Sequence, residues 1–235
     1  MQRIYVPWFV YCERYGITDK HVLHQFIKVL KSSVWDKIIL FDGHTSTDYL
    51  YEITKIEKKE ITLEFLDGVQ KTEWKKDISL YQALPNKNHK IEYILQKWVE
   101  VGVSHFYFFR SERSQKLHIS EHKEQRFHQI IIEATEQCWR NILPTLMFSE
   151  NGFWDVPSQG TSIMLNPLDE TAQRLKNLEL DDDATVHIFI GPEWGFSDTE
   201  INTLQDSGCI SLHLWSNILR TETAWVVTSF YLNQM

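Results

Sequence analysis

The stretch VHIFIGPEWGFSDTEI, residues 186–201, is the most informative about the fold, because its pattern predicts a strand, a tight turn and the start of a helix. Val186 to Ile190 is the apolar run expected of a strand buried on both faces of a parallel sheet. Gly191-Pro192 then ends the strand, and the capping-box pair Ser197 and Glu200 predicts a helix directly afterwards. Ligands of open α/β sheets bind just beyond the carboxyl ends of the strands, so the turn predicts a ligand site. An ordinary strand-to-helix connection is the alternative at this point.

The chain from Ile78 onward alternates strands with longer amphipathic helices, which is the pattern of a parallel sheet. Apolar runs predict strands at Leu80–Leu84, Val103–Phe109, Pro144–Phe148, Ser162–Leu165 and Ile210–Leu214. The spacing of apolar residues predicts one helix with Ile91, Ile94, Leu95, Trp98 and Val99 on one face, a second at Arg126–Trp139 and a third near Glu170–Leu178. The fold class of this part of the chain is therefore α/β.

Residues 1–74 have a different pattern, that of a small β-rich domain. Strands are predicted at Ile4–Val6, Lys37–Phe41, Tyr49–Ile56 and Ile61–Phe65, with turn signals at Asp42-Gly43 and Asp67-Gly68. One amphipathic helix is predicted at Lys20–Leu30. Because Lys71–Asp77 is short and polar, we expect one domain at residues 1–74 joined tightly to a second at residues 75–235.

The net charge of −8 at pH 7 argues at first against a nucleic-acid partner. Its distribution changes that argument, because residues 161–235 hold 3 basic and 11 acidic residues while the remaining residues balance. The first two thirds of the chain are therefore free to present basic patches.

The chain carries none of the signals of a membrane, disulfide or metal protein. Its most apolar runs are too short to span a bilayer and residues 1–20 lack a signal-peptide core, so we expect a soluble cytoplasmic protein. Cys12, Cys138 and Cys209 lie far apart, and the ten histidines show no ligand spacing. We therefore expect neither a disulfide framework nor a metal site.

A second motif, NILRTETA at residues 217–224, follows the predicted strand Ile210–Leu214. Together with IGPEWGFSDTE it resembles the signature of the RsmE-type 16S ribosomal RNA uridine-N3 methyltransferases, members of the SPOUT superfamily. Further segments stand in that family's order along nearly the whole chain: RIYVP at 3–7, FDG at 41–43, QALPNKN at 82–88, ILQKWVEVGV at 94–103, SERS at 111–114 and IIIEATEQCWRNILP at 130–144. The resemblance implies S-adenosylmethionine-dependent methylation of N3 of a specific uridine in small-subunit (16S) ribosomal RNA.

The resemblance also implies an architecture. A PUA-like β-barrel at residues 1–74 would hold RNA, and a SPOUT domain at residues 75–235 would thread its last helix through a loop as a trefoil knot. Three knotted loops, each at the carboxyl end of a predicted strand, would surround the cofactor. The implied cofactor-binding residues are Leu165, Asn166, Pro167, Ile190, Gly191, Pro192, Glu193, Gly195, Leu214, Ile218, Leu219, Thr223 and Ala224.

The last predicted helix also bears on assembly. Its segment Ala224–Leu232 is apolar nearly all round, which is more than one core-facing stripe requires. We therefore expect a homodimer through this helix, as the family resemblance also implies.

Methyl transfer to N3 of uridine requires loss of the N3 proton and an in-line arrangement of the two reactants. Glu222 is the first candidate for the base, and Arg220 can stabilise charge on the uracil oxygens or clamp a phosphate. A charged first turn of the last helix is the alternative for this pair. Glu193 is a second acid/base candidate, although a carboxylate at such a turn more often fixes the loop by accepting backbone N–H groups.

Four basic residues in the family's motifs are implied RNA contacts: Arg3, Lys31, Arg113 and Arg126. For Arg3 and Lys31 a plain surface role is an equal alternative. The basic charge of all four lies outside the acidic last third of the chain.

Three glycines of the family stand as tryptophans here: Trp35 in VWD, Trp194 in GPEWG and Trp215 in LWS. If a loop glycine there takes positive φ or lets the backbone approach the cofactor, an indole costs strain or blocks the site. The two loop tryptophans can instead point outward or stack on adenine. The tryptophans in the two loops are the support for an alternative function, that of a non-catalytic RNA-binding protein that kept the fold and lost the cofactor. A SPOUT methyltransferase acting on another RNA is a separate alternative.

Overall fold

The computed structural model describes residues 1–71, 73, 75–115, 118–149, 156–167, 169, 171–214 and 219–235, without the side chain of Glu222. The backbone divides into two compact units. The N-terminal unit comprises residues 1–73 and 135–143, and the C-terminal unit comprises residues 74–134 and 144–235. Each unit contains its own cluster of buried apolar side chains.

The N-terminal unit is built on a sheet to which its described residues contribute five strands. The strands are β1 (Gln2–Tyr5), β2 (Arg14–Ile17), β3 (Lys37–Phe41), β4 (Thr47–Ile56) and β5 (Ile61–Gln70). Their order is β1-β3-β4-β5-β2, with β1 parallel to β3 and all other neighbours antiparallel. Alternate residues such as Ile38, Leu40, Ile53 and Leu63 are buried, so one face of the sheet forms the core.

The predicted helix Lys20–Leu30 exists but changes its hydrogen bonding partway along. It forms α1 (Lys20–His24), capped by the Asp19 side chain, and then a π-helical segment at Gln25–Val29. The Leu30 N–H donates to the Gln25 carbonyl at 2.9 Å, which is the i to i−5 spacing of a π-helix. Its buried residue Phe26 packs into the core of the unit.

Asp67-Gly68 was predicted as a turn, and this prediction is wrong. Both residues lie inside β5, where Asp67 pairs with Leu50 and Gly68 with Tyr49. The hairpin turns earlier, where the Glu57 N–H donates to the Glu60 carbonyl at 2.8 Å. Pairing along a ten-residue strand outweighs the local turn preference of Asp-Gly. The short strand β2 pairs with the same β5 and has no apolar alternation by which the sequence could have shown it.

The C-terminal unit is an α/β structure, as the sequence predicts. Its strands are β6 (Asp77–Ala83), β7 (Val103–Phe109), β8 (Thr145–Ser149), β9 (Thr161–Leu165), β10 (Gln173–Arg174), β11 (Thr185–Ile190) and β12 (Ile210–His213). Its helices are α2 (Asn88–Glu100), α3 (Glu121–Cys138), α4 (Asp198–Asp206) and α5 (Thr221–Gln234). The strands that the structure describes form one sheet in the order β10-β12-β9-β11-β6-β7-β8, with every pairing parallel.

Two predicted helices follow the physical signals in the sequence. The side chain of Ser197 accepts from the Glu200 N–H at 3.1 Å, and the Glu200 carboxylate accepts from the Ser197 N–H at 2.8 Å, which completes the predicted capping box of α4. The predicted face of α2 is buried throughout. These contacts confirm both helices.

The predicted helix near Glu170–Leu178 is wrong. The described residues of this region form the two-residue strand β10 and a single 3-10 turn at Leu175–Asn177. β10 pairs with β12, so tertiary hydrogen bonds take the backbone groups that a helix would have used. Among the helices of the described ranges, none has the length and apolar character needed to cross a lipid bilayer.

Candidate active site

A cavity of about 420 Å³ lies at the carboxyl ends of β9, β11 and β12. Its volume is within the range of small-molecule sites, and apolar side chains and loop backbone make up most of its wall. The lining residues are Lys90, Leu165, Pro167, Ile190, Gly191, Pro192, Glu193, Gly195, Leu212, His213, Leu214, Leu219, Arg220, Thr221 and Ala224. Since parallel strands end at the same edge of a sheet, loops far apart in sequence meet there.

The loop after β11 depends on two glycines. A Cβ atom at Gly191 would lie 2.9 Å from the Phe196 nitrogen, so a side chain at this position would collide with the backbone of its own loop. Gly195 takes a φ of 70°, a conformation that side chains disfavour, and its N–H donates to the Pro192 carbonyl at 2.9 Å. The glycines therefore fold the loop back on itself and expose its backbone to the cavity.

Glu193 holds this loop against the start of α2. Its carboxylate pairs with Lys90 and accepts the Asn86 N–H at 3.1 Å. Burial acts to raise the pKa of Glu193, but the hydrogen bonds from Lys90 and from the Asn86 N–H outweigh it, and the pKa lies below the ordinary carboxyl value. The side chain is thus ionised at neutral pH and bridges the loops after β6 and β11.

The N-terminus of α5 forms another part of the cavity wall. Arg220 is the N-cap residue, and its carbonyl accepts the N–H groups of Thr223 and Ala224, each at 2.9 Å. Its side chain is exposed, and it lines the cavity with Thr221 and Ala224. The positive end of the helix dipole therefore lies at the cavity wall. Glu222 belongs to the first turn of this helix, and its side chain lies outside the described part of the structure.

Most of the predicted cofactor residues come together in this one cavity. Leu165, Pro167, Ile190 to Glu193, Gly195, Leu214, Leu219 and Ala224 all line it. Asn166 and Thr223 do not: the Asn166 N–H donates to the Leu212 carbonyl at 3.0 Å, and Thr223 is exposed on α5. Ile218 and Trp215 lie outside the described residues.

Sequence reasoning missed four lining residues: Lys90, Leu212, His213 and Thr221. Leu212 and His213 are the last residues of β12, and Thr221 is the first residue of α5, so a search of positions next to the motif could have found them. Lys90 could be identified as a lining residue only from the order of the strands in the sheet. β6 is the neighbour of β11, and this places the start of α2 beside the loop that carries Glu193.

The SERS segment forms a tight loop after β7. The Ser114 N–H donates to the Ser111 carbonyl at 3.0 Å, and the Ser114 hydroxyl donates to the Leu84 carbonyl at 3.1 Å. Arg113 is exposed, and its guanidinium donates to the Trp194 carbonyl at 3.2 Å. The predicted RNA residue Arg113 therefore also contacts the loop that carries Glu193.

The other three predicted RNA residues have different surroundings. Lys31 is exposed at the end of the π-helical segment, and Arg126 is exposed on α3. Arg3 is buried: its guanidinium pairs with Asp48 at 2.9 Å and donates to the Thr135 carbonyl at 3.0 Å. Its charge is used inside the N-terminal unit, so the structure gives no support to Arg3 as an RNA contact.

Trp194 points outward from its loop. Its side chain is 72% exposed, its φ is not in the left-handed region, and it does not line the cavity. The concern that an indole at this position blocks the site is therefore not supported. Across the described ranges, no group of three or more His, Cys, Asp or Glu side chains is arranged to hold a metal ion.

Comparisons with known proteins agree with this geometry. The RNA methyltransferase domain family matches residues 72–233. The ribosomal RNA small subunit methyltransferase E of Buchnera aphidicola subsp. Acyrthosiphon pisum is 31% identical over 94% of this chain and 88% of that protein. Its namesake in Aquifex aeolicus is 31% identical over 81% of this chain and 83% of that protein.

Solved structures resemble the whole chain. The ribosomal RNA small subunit methyltransferase E of Neisseria gonorrhoeae, bound to S-adenosyl methionine, has a TM-score of 0.87 at 24% identity, covering 100% of this chain and 97% of that one. At this identity it shows the fold alone. A protein of Legionella pneumophila, named as a methyltransferase in complex with the bound cofactor SAM, has a TM-score of 0.82 at 26% identity, covering 99% and 96%.

The parallel sheet, the cavity at its carboxyl edge and the match over residues 72–233 define the class, which is that of the RNA methyltransferases. The relatives narrow it further, because they are similar over nearly the whole chain and not over the catalytic domain alone. This chain belongs to the ribosomal RNA small subunit methyltransferase E family.

Proposed function

We propose that this protein transfers a methyl group from S-adenosylmethionine to N3 of a specific uridine in small-subunit (16S) ribosomal RNA. The observation that carries the proposal is the convergence of the predicted cofactor residues from three separate loops on one cavity. Relatives named as small-subunit ribosomal RNA methyltransferases, and solved structures described with this cofactor bound, support the substrate class and the cofactor.

The cavity fits S-adenosylmethionine in its chemistry. Leu165, Ile190 and Leu219 would provide apolar surface for the adenine ring. The ionised Glu193 would pair with the amino group of the methionine part, and the N-terminus of α5 suits its carboxylate. Gly191 lets the loop fold tightly against its own backbone at the cavity wall, where a side chain would collide with the Phe196 nitrogen.

Bound S-adenosylmethionine supplies an activated methyl group, and the residues of the chain must position the uridine and take its N3 proton. We assign proton acceptance to Glu222, in the first turn of α5. Arg220, exposed at the cavity wall, would stabilise charge on the uracil oxygens or clamp a phosphate. Glu193 is the weaker candidate for the base, because its lowered pKa and its pair with Lys90 suit it to holding the loop.

RNA binding is assigned to the N-terminal unit and to basic residues of the C-terminal unit. We take residues 1–74 as a PUA-like domain, and its five-stranded sheet over the described residues supports this assignment. Lys31, Arg113 and Arg126 are exposed, so their side chains are accessible to RNA phosphates. A ribosomal RNA substrate also makes the cytoplasm the expected location.

The knot and the dimer are further parts of the proposal. The loops after β9, β11 and β12 share one cavity with the start of α5, which supports a trefoil knot in which α5 is the threaded helix. One face of α5 is buried, with Trp225 and Leu232 fully enclosed. Val227, Phe230 and Tyr231 on another face remain 43%, 58% and 37% exposed, which supports a homodimer through this helix.

The test combines cofactor titration with RNA methylation. Calorimetry should show S-adenosylmethionine binding, and primer extension should show one stop on small-subunit ribosomal RNA from a strain lacking the gene after incubation with protein and cofactor. RNA binding without cofactor binding at millimolar concentration would instead indicate a non-catalytic RNA-binding protein. Methylation confined to another RNA would place the enzyme on a different substrate.

A further inference from the structure

A buried carboxylate lies where the SERS loop meets the start of α4. The side chain of Glu200 is on α4, and the residue is only 5% exposed. Its two oxygens accept three hydrogen bonds: from the Ser111 hydroxyl at 3.0 Å, from the Glu112 N–H at 3.0 Å and from the Ser197 N–H at 2.8 Å. A buried carboxylate satisfied by several donors fixes the segments that supply them.

The two segments joined by Glu200 follow strands that are not adjacent. The SERS loop follows β7, the cofactor loop and α4 follow β11, and β6 lies between these strands in the sheet. Arg113 makes a second link, because its guanidinium donates to the Trp194 carbonyl at 3.2 Å and lies 4.0 Å from the Asp198 carboxylate. The orientation of Arg113 thus depends on how the SERS loop is held.

We propose that Glu200 is a positioning residue for RNA binding: through the Ser111 hydroxyl it holds the SERS loop, and with it Arg113, against the segment that follows β11. This inference rests on the proposed function, since it assumes that Arg113 contacts the RNA substrate. Glu200 itself does not line the cavity. Its capping-box role alone would stabilise α4, whereas its bonds to Ser111 and Glu112 serve only the SERS loop.

Ser111 and Ser197 offer a matched pair of variants, because each hydroxyl makes one hydrogen bond with Glu200. Ser111→Ala removes the link to the SERS loop, and Ser197→Ala removes the side-chain cap of α4. Both should lower the melting temperature. Ser111→Ala should also weaken RNA binding and raise the KM for RNA about tenfold, because a buried bond to a charged group is lost, with kcat and cofactor affinity little changed.

Ser197→Ala should leave RNA affinity within about twofold of the unaltered protein, since it touches only the helix cap. Combining Ser111→Ala with Arg113→Ala should weaken RNA binding no more than Arg113→Ala alone. Equal effects of Ser111→Ala and Ser197→Ala on RNA affinity, or no effect of Ser111→Ala, would overturn the proposal. Absence of methylation by the unaltered protein would contradict the proposed function instead, because RNA affinity is measured without turnover.

Two tryptophans have a backbone conformation that normally requires glycine. Among the described residues other than glycine, positive φ occurs at Lys31, Trp35 and Trp139. Trp35, with φ of 78°, is the third residue of a turn closed by the Asp36 N–H on the Ser33 carbonyl at 3.2 Å, and a type II turn requires glycine-like φ at this position. Trp139, with φ of 67°, directly follows the last residue of α3, where helices characteristically place a left-handed glycine.

We infer that glycine occupies positions 35 and 139 when the protein is made in its own cell. A bulky side chain at positive φ is a genuine outlier. Both indoles are exposed, Trp35 by 73% and Trp139 by 43%, although the Lys71 ammonium lies 4.4 Å from the centre of the Trp139 ring. The chain has 9 tryptophans and only 9 glycines, whereas average usage predicts about 16 glycines. The codon UGA connects the two residues, because some bacteria read it as tryptophan and others as glycine.

The gene and the native protein both test this inference. The codons at positions 35 and 139 should be UGA, and the tryptic peptide of residues 32–37 from native cells should have the mass expected for Trp35→Gly. A UGG codon at either position, or a peptide mass that fits tryptophan, would overturn it.

Discussion

Two tryptophans hold a backbone conformation that L-residues disfavour. Trp35 and Trp139 hold φ of 78° and 67°, and the Trp35 N–H is fixed by the Ile53 carbonyl at 2.8 Å. The surrounding hydrogen bonds therefore maintain a conformation that an L-residue disfavours by roughly 1–2 kcal/mol. Trp194 stands beside a positive-φ glycine without taking positive φ itself, and this makes it a natural control.

We expect Trp35→Gly to raise the free energy of unfolding by about 1 kcal/mol, because glycine adopts positive φ without steric cost and little buried surface is lost. Urea unfolding of the purified variant measures this change. Trp194→Gly should not raise the free energy of unfolding, since it relieves no strain and adds freedom to the unfolded chain. An equal gain in both variants would show that backbone strain is not the cause.

The assignment of Glu222 as the base can be tested with a single substitution. Glu222→Gln keeps the size of the side chain but cannot accept a proton, so single-turnover methylation should fall by about 10²-fold or more with cofactor affinity little changed. Glu193→Gln is the matched control, and it should weaken cofactor binding because the bridge to Lys90 and Asn86 is lost. An unchanged single-turnover rate in Glu222→Gln would exclude that residue as the base.

Arg220→Ala separates two possible uses of the guanidinium. Turnover should fall in either case, because the side chain lines the cavity. A parallel loss of RNA affinity would identify a phosphate clamp, and unchanged RNA affinity would identify stabilisation of charge on the uracil oxygens. Unchanged turnover and unchanged RNA affinity together would reject both roles.

Individual elements contribute to the site mainly through their ends. The carboxyl ends of β9, β11 and β12 supply most of the cavity, and the N-termini of α2 and α5 supply Lys90, Thr221 and Ala224. Helix α3 carries the exposed residue Arg126, which makes no part of the cavity wall. Helix α3 is thus the element on which RNA binding can be tested without disturbing the cofactor site.

We expect Arg126→Ala to weaken RNA binding and to reduce the slope of log affinity against log salt by about one, as loss of one phosphate contact requires. Gln125→Ala replaces an uncharged, exposed residue of the same helix and should leave that slope unchanged. Fluorescence anisotropy over a salt series gives both quantities. Loss of cofactor affinity in Arg126→Ala would mean that the residue supports the fold.

At the level of the whole molecule, the surface of helix α5 bears on assembly. Helix α5 packs on α2, with the Trp98 and Trp225 ring centroids 3.9 Å apart and the Asn233 amide donating to the Val101 carbonyl at 2.7 Å. Val227, Phe230 and Tyr231 remain exposed. An exposed apolar group on a helix that also bounds the cavity would place the cofactor pocket near a dimer interface.

We expect the protein to sediment as a dimer at micromolar concentration and Phe230→Glu to make it a monomer, because a buried unpaired charge is costly. Gln234→Glu adds the same charge to an exposed position near the end of the same helix and should leave the dimer intact. A monomeric unaltered protein, or a dimeric Phe230→Glu variant with native stability, would contradict an interface through α5.

Features that depend on local physical chemistry could be predicted from the amino-acid sequence. Alternation and apolar runs located β3, β7 and β11, the spacing of Ile91 to Val99 identified the buried face of α2, and Ser197 with Glu200 predicted the start of α4. The motifs then indicated the family. Each of these signals lies within a few residues of the feature it specifies.

Features that depend on partners distant in sequence became apparent only in the folded chain. Asp67-Gly68 lies in a strand because it pairs with β4, and the region predicted as a helix contains β10, which pairs with β12. Arg3 is buried because its guanidinium pairs with Asp48. Lys90 joined the cavity because β6 lies beside β11, and Glu200 reached Ser111 across the end of β6. Ser111 and Glu200 are 89 positions apart in sequence, yet the Ser111 hydroxyl lies 3.0 Å from the Glu200 carboxylate. The order of the strands in the sheet brings them together, and local sequence patterns do not encode that order.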